Sequence, residues 1–113
     1  TMEDMHQTVI AEENYLLEYL QKFPKIDKVE KDAVITSSSG HHHHRADFIA
    51  TNTQGERYII ELKMTKNTSV AERRVKGMFV EVGAEMIGSQ VLGEGALGTS
   101  IIFVGKIPSI EEE

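Results

Sequence analysis

The 113-residue sequence contains no cysteine. That absence excludes disulfides and thiolate metal ligands, and it makes an intracellular, cytoplasmic setting the expectation. No apolar run approaches the ~18 residues of a membrane-spanning helix, so no membrane partner is expected. The opening Thr1-Met2-Glu3-Asp4 is acidic and lacks the apolar core of a signal peptide; Thr1 ahead of Met2 reads as an added residue. Basic residues are also in deficit, 12 Lys and Arg against 18 Asp and Glu, for a formal net charge of -6. This balance argues against a free-standing, non-specific nucleic-acid binder, whose footprint is a basic excess. It leaves room for a nuclease, in which acids gather at a metal site and the strand is met by a local basic patch.

What is present is an ordinary globular composition, 40% hydrophobic and 27% charged, of a length that fits one domain over residues 1–113. Apolar residues at three- and four-residue spacings predict a helix over 5–23, stopped by Pro24. Val9, Ile10, Leu16, Leu17 and Leu20 form its stripe, and Glu13 falls in the middle of it. Such a glutamate needs a salt bridge, a helix-end position or a polar site; a carboxylate at the stripe's edge reaching solvent is the plainer alternative. Residues 25–31 read as a charged connector and 33–36 as a short strand. Ser37-Ser38-Ser39-Gly40 reads as a loop, and His41, His42, His43 and His44 follow it. Histidine tracts can bind metal, but this one lacks spaced, fixed ligands and resembles a tag scar or an engineered loop, so it enters no mechanism.

Strands are expected over 46–52 and 57–65, joined by the turn Asn52-Thr53-Gln54-Gly55-Glu56 as a hairpin. A helix over 69–89 follows, with Ser69 as N-cap and Glu72 completing a capping box. Ala71, Val75, Met78, Val82 and Met86 share its inner face. Arg73, Arg74 and Lys76 lie largely off that face and read as solvated surface rather than phosphate ligands. Gly83 and Gly88 weaken this helix, through an early end or a close backbone approach. The continuous apolar run over 99–105 predicts a strand buried on both faces, and 109–113 an acidic tail.

The third strand carries charge where none is expected. Alternation puts Ile59, Glu61 and Lys63 on one face and Tyr58, Ile60, Leu62 and Met64 on the other. An acid and a lysine inside an apolar strand are costly to desolvate unless paired, hydrated or metal-bound. A tight hairpin would bring Asp47 beside them. A structural ion pair between Asp47 and Lys63 is the alternative reading.

The element order αβββαβ, with Asp47 at the start of one strand and Glu61-Leu62-Lys63 in the next, resembles the PD-(D/E)XK nuclease superfamily over roughly residues 13–107. Ala46 stands where many members have proline. The resemblance implies an α/β restriction-endonuclease-like core, a mixed β-sheet flanked by helices. It also implies a magnesium- or manganese-dependent nuclease, an endonuclease acting on DNA rather than RNA, of restriction, junction-resolving or repair type. Asp47 and Glu61 match the two acidic metal ligands, with the Leu62 carbonyl as a third ligand; Lys63 matches the lysine that orients water or stabilises the transition state. Glu13 matches an additional first-helix glutamate and Gln90, weakly, an auxiliary glutamine. So short a core implies a homodimer or larger assembly to grip two strands. A non-catalytic binding or assembly module on the same fold is the alternative.

Overall fold

The computed structural model describes Asn14 and residues 25–37, 39–41 and 43–107. Of the expected first helix only Asn14 is among them, in helical conformation. Glu13 and the acidic tail lie outside the described residues.

Three strands lead the chain: β1 (Ile26–Thr36), β2 (His43–Asn52) and β3 (Arg57–Thr65). The β2–β3 turn is closed by Asn52, whose side-chain oxygen accepts the N–H groups of Gln54 at 3.0 Å and Glu56 at 2.9 Å, with Gly55 at φ 81°. This Asx-type closure suits asparagine, which competes well for nearby backbone donors. β3 has the expected limits. β1 is longer than expected because most of the 25–31 connector, from Ile26 on, forms an edge strand with solvated charges and a Lys28–Glu30 contact of 2.6 Å. β2 starts earlier, at His43, which pairs with Thr36.

The helix α1 runs from Thr68 to Glu81. Its N-cap is Asn67, whose side chain accepts the Val70 N–H at 3.2 Å, so Ser69 sits inside the first turn and is not the cap. The helix ends eight residues earlier than expected. Gly83 takes φ 75°, Gly83 N–H bonds Val80 C=O at 3.1 Å and Ala84 N–H bonds Phe79 C=O at 2.8 Å. This paired closure around a left-handed glycine is the Schellman ending. Residues 85–89, expected as the end of the helix, instead begin a strand, β4 (Glu85–Gly95), which turns back through Ala96 and Leu97 into β5 (Gly98–Ile107).

The sheet order is β1-β2-β3-β5-β4, and every pairing is antiparallel. The mixed sheet expected from the resemblance is therefore corrected: β5 returns from the β4 hairpin and enters beside β3 in the opposite direction. The architecture is a small α/β protein with a five-stranded antiparallel sheet. On its helix side, Ile49, Ile59, Ile101 and Phe103 pack against Ala71, Val75 and Phe79 of α1. The other face carries Phe48, Ala50, Ile60, Ile102 and Val104. Phe79 reaches the sheet because Gly105 lies beneath it; a Cβ there would stand 2.7 Å from the ring. No helix among the described residues is long and apolar enough to cross a membrane.

Candidate active site

β2 and β3 pair only from Thr51↔Arg57 to Phe48↔Ile60. Beyond that point β2 stays with β1, through Ala46↔Ala33, while β3 stays with β5, through Glu61↔Phe103 and Leu62↔Ile102. The sheet therefore forks at the next residue of each strand, which is Asp47 on one branch and Glu61 on the other. A fork in a sheet strands backbone donors that must find other acceptors. Here the two carboxylates supply them across the gap. Leu62 N–H donates to Asp47 Oδ2 at 2.8 Å and Asp47 N–H donates to Glu61 Oε1 at 3.3 Å.

These cross-bonds lock the two acids side by side in unequal surroundings. Glu61 is only 4% exposed, whereas Asp47 and Lys63 are open to solvent. Burial pushes the Glu61 carboxyl up to about 7, and the Asp47 charge adds to the rise; the Lys63 charge and the Asp47 N–H oppose it without reversing it. A buried carboxylate facing a second one holds its charge poorly unless a proton or a cation offsets it.

The donor chemistry fits a hard divalent cation. Each carboxylate has a second oxygen, Asp47 Oδ1 and Glu61 Oε2, beyond the one that accepts the backbone N–H. In a strand the N–H and C=O of one residue point to the same side, and Leu62 N–H points into the fork, so the Leu62 carbonyl does too. Among the described residues no cluster of three or more His, Cys, Asp or Glu forms. Two carboxylates, one carbonyl and water would thus be the shell, a set that suits magnesium or manganese.

Lys63 lies two residues beyond Glu61 on the helix side of β3. It lines a cleft of about 190 Å³ together with Val70, Ala71, Arg74, Val75 and Met78 of α1. The fold thus brings together Asp47, Glu61, Leu62 and Lys63, and it adds Arg74, which helical periodicity alone had left on the solvated side. Only the packing angle of α1 across the end of β3 puts that arginine beside Lys63. Gln90 does not join them. It lies on β4, opposite Ile102, which is itself opposite Leu62, so it is two strands away on the face that Leu62, not Glu61, occupies. The histidine tract is also apart: His43 and His44 begin β2, and His44 Nε2 meets Glu81 Oε2 at 2.6 Å at the far end of α1. No family model, curated protein or solved structure matches this chain.

Proposed function

We propose that this chain is a magnesium- or manganese-dependent nuclease that hydrolyses phosphodiester bonds, an endonuclease acting on DNA in the cytoplasm. The observation that carries the reading is the fork itself. Two carboxylates from diverging strands are held against each other, one of them buried and reluctant to ionise, with a solvent-facing lysine on the next position of the same face. In this reading Asp47, Glu61 and the Leu62 carbonyl hold the ion, and the cross-strand bonds fix the carboxylates before it arrives. When bound, the ion supplies Lewis acidity toward the phosphoryl oxygens and acidifies a coordinated water. Lys63 contributes a compact ammonium, which steadies the attacking water and offsets charge growing on the phosphate. Glu13 is the further acid that the resemblance assigns to the same site, and a second copy of the chain would let two such sites meet two strands.

A second reading has its own support: each carboxylate caps a backbone N–H, a structural task that needs no metal, so a non-catalytic module could keep the pair. Calorimetric titration of manganese into the parent and into Asp47→Ala, paired with plasmid cleavage by the parent and by Lys63→Ala, separates the two. The nuclease reading expects manganese binding lost in Asp47→Ala, and cleavage lost in Lys63→Ala with binding kept. A parent that binds no manganese, or a Lys63→Ala variant that cleaves at the parental rate, overturns it.

A further inference from the structure

We infer that the cleft between β3 and α1 seats one nucleotide unit of the nucleic-acid strand, with Arg74 gripping the phosphate next to the scissile one. This rests on the nuclease reading of the neighbouring fork. Val70, Ala71, Arg74, Val75 and Met78 follow one another at helical spacing along the side of α1 that overlooks the end of β3. That stripe gives the cleft an apolar wall with one guanidinium set into it, and Lys63 closes the opposite side.

Within the described residues neither Lys63 nor Arg74 has an ion-pair or hydrogen-bond partner. Three other cations of the sheet are paired: Arg45 with Asp32 at 3.0 Å, Lys28 with Glu30, Lys106 with Glu56. In a chain of net charge -6, two cations without a close ion pair line one concavity, Arg74 on the helix and Lys63, whose charge is felt by Glu61, on the strand; together they make a local anion site, where low-dielectric walls focus the field. The arrangement suits a phosphodiester strand: phosphate for the two cations, the face of a sugar or base for the half-buried Val70 and Met78. A volume of about 190 Å³ admits a phosphate with its sugar. Arg74, with its planar fork, suits a phosphate held still, while Lys63 serves the phosphate at the metal.

The test measures binding of a fluorescein-labelled 12-nucleotide single-stranded DNA by anisotropy in calcium, and cleavage kinetics in magnesium. It compares the parent with Arg74→Ala, Arg74→Lys and Arg73→Ala, whose arginine lies off the stripe. Arg74→Ala is expected to weaken binding about tenfold and to raise KM about as much, with kcat within twofold. Its dependence of log Kd on log salt should be shallower by about 0.7, one phosphate contact on a single strand. Arg74→Lys should restore the salt slope but only part of the affinity, and Arg73→Ala should match the parent. Parental binding and slope in Arg74→Ala, or a parent that does not bind the strand, overturns the inference, as does a fall in kcat with KM unchanged. If the parent cleaves but Arg74→Ala equals it, the cleft fails and the nuclease reading stands. If binding depends on Arg74 but nothing is cleaved, the cleft stands as a strand site and the nuclease reading fails.

Discussion

Glu61→Gln should make the metal-free protein more stable at neutral and alkaline pH, and the gain should vanish in acid. Gln keeps the side-chain length and an oxygen that can accept the Asp47 N–H, so the fork stays capped while the charge disappears. In the fold the Glu61 carboxyl is raised from the ordinary 4.5 to about 7; the folded state therefore keeps its proton over a range in which the unfolded chain has lost it. Stability from this group is full below about 4.5 and drains away as pH rises through about 7. At about 1.4 kcal/mol per pH unit, the full span would be about 3.4 kcal/mol. Water reaching the fork beside exposed Asp47 and Lys63 reduces the expected loss to about 2 kcal/mol. For a domain of this size that is a gap of roughly 8 °C in Tm. Thermal melts in EDTA at half-unit steps from pH 4 to pH 8.5 should show the Tm of Glu61→Gln overtaking that of the parent between about 4.5 and 7 and staying above it. Added magnesium should then raise the parent and leave the variant unmoved. A Tm difference that does not change with pH, or a variant less stable throughout, would refute the idea that burial and the Asp47 charge set the behaviour of this carboxyl.

Replacing His41, His42, His43 and His44 by Gly and Ser should leave magnesium-dependent cleavage at the parental rate, with the exposed His44–Glu81 contact costing under about 1 kcal/mol in a urea melt; loss of all activity would move the metal site into this tract. Gly105→Ala places a methyl 2.7 Å from the Phe79 ring and should cost about 1–3 kcal/mol, much of it recovered in the double variant with Phe79→Leu; equal and additive losses would show that the ring does not rest on the glycine. Glu13→Gln, if the first-helix stripe turns this residue toward the site, should lower cleavage more than tenfold, about 1.4 kcal/mol in barrier, with Tm nearly unchanged; no change in either quantity would place Glu13 at the surface.

The hairpin and its polar set were legible in the sequence because local rules and long-range structure agree there. The limits of β3, the Asn52–Glu56 turn and the shared face of Glu61 and Lys63 all follow from alternation and turn chemistry. The stretch over 82–95 was not legible in the same way. Val82 and Met86 continue the four-residue rhythm of α1, and the strand that replaces it lies at the sheet edge with Ile87 and Val91 exposed and two register shifts, so no clean alternation marks it. Gly83 carried the deciding signal: in a left-handed conformation it closes α1, but composition alone cannot distinguish that ending from a glycine tolerated within a helix. The same limit hid Arg74, whose neighbours on α1 are readable but whose distance from β3 is a property of packing.

The fork also accounts for a cost that the strand pattern leaves unexplained. A sheet needs neither Asp47 nor Glu61 to hold two strands together, since backbone pairing could simply continue past Phe48 and Ile60. Instead the strands part, and each lost backbone acceptor is replaced by a carboxylate oxygen from the other branch. Burying Glu61 in this way works against stability at neutral pH, and the exposed Asp47 beside it adds to the strain. Apolar residues with uninterrupted pairing would be the less costly solution for a purely structural sheet. What the fork gains is an opening at the sheet surface where a backbone carbonyl and two carboxylate oxygens can converge from fixed positions. Capping the two N–H groups serves the fold with or without a metal, whereas the paired charges serve only a ligand of opposite charge, and so the metal titration, more than any stability measurement, decides between the two readings.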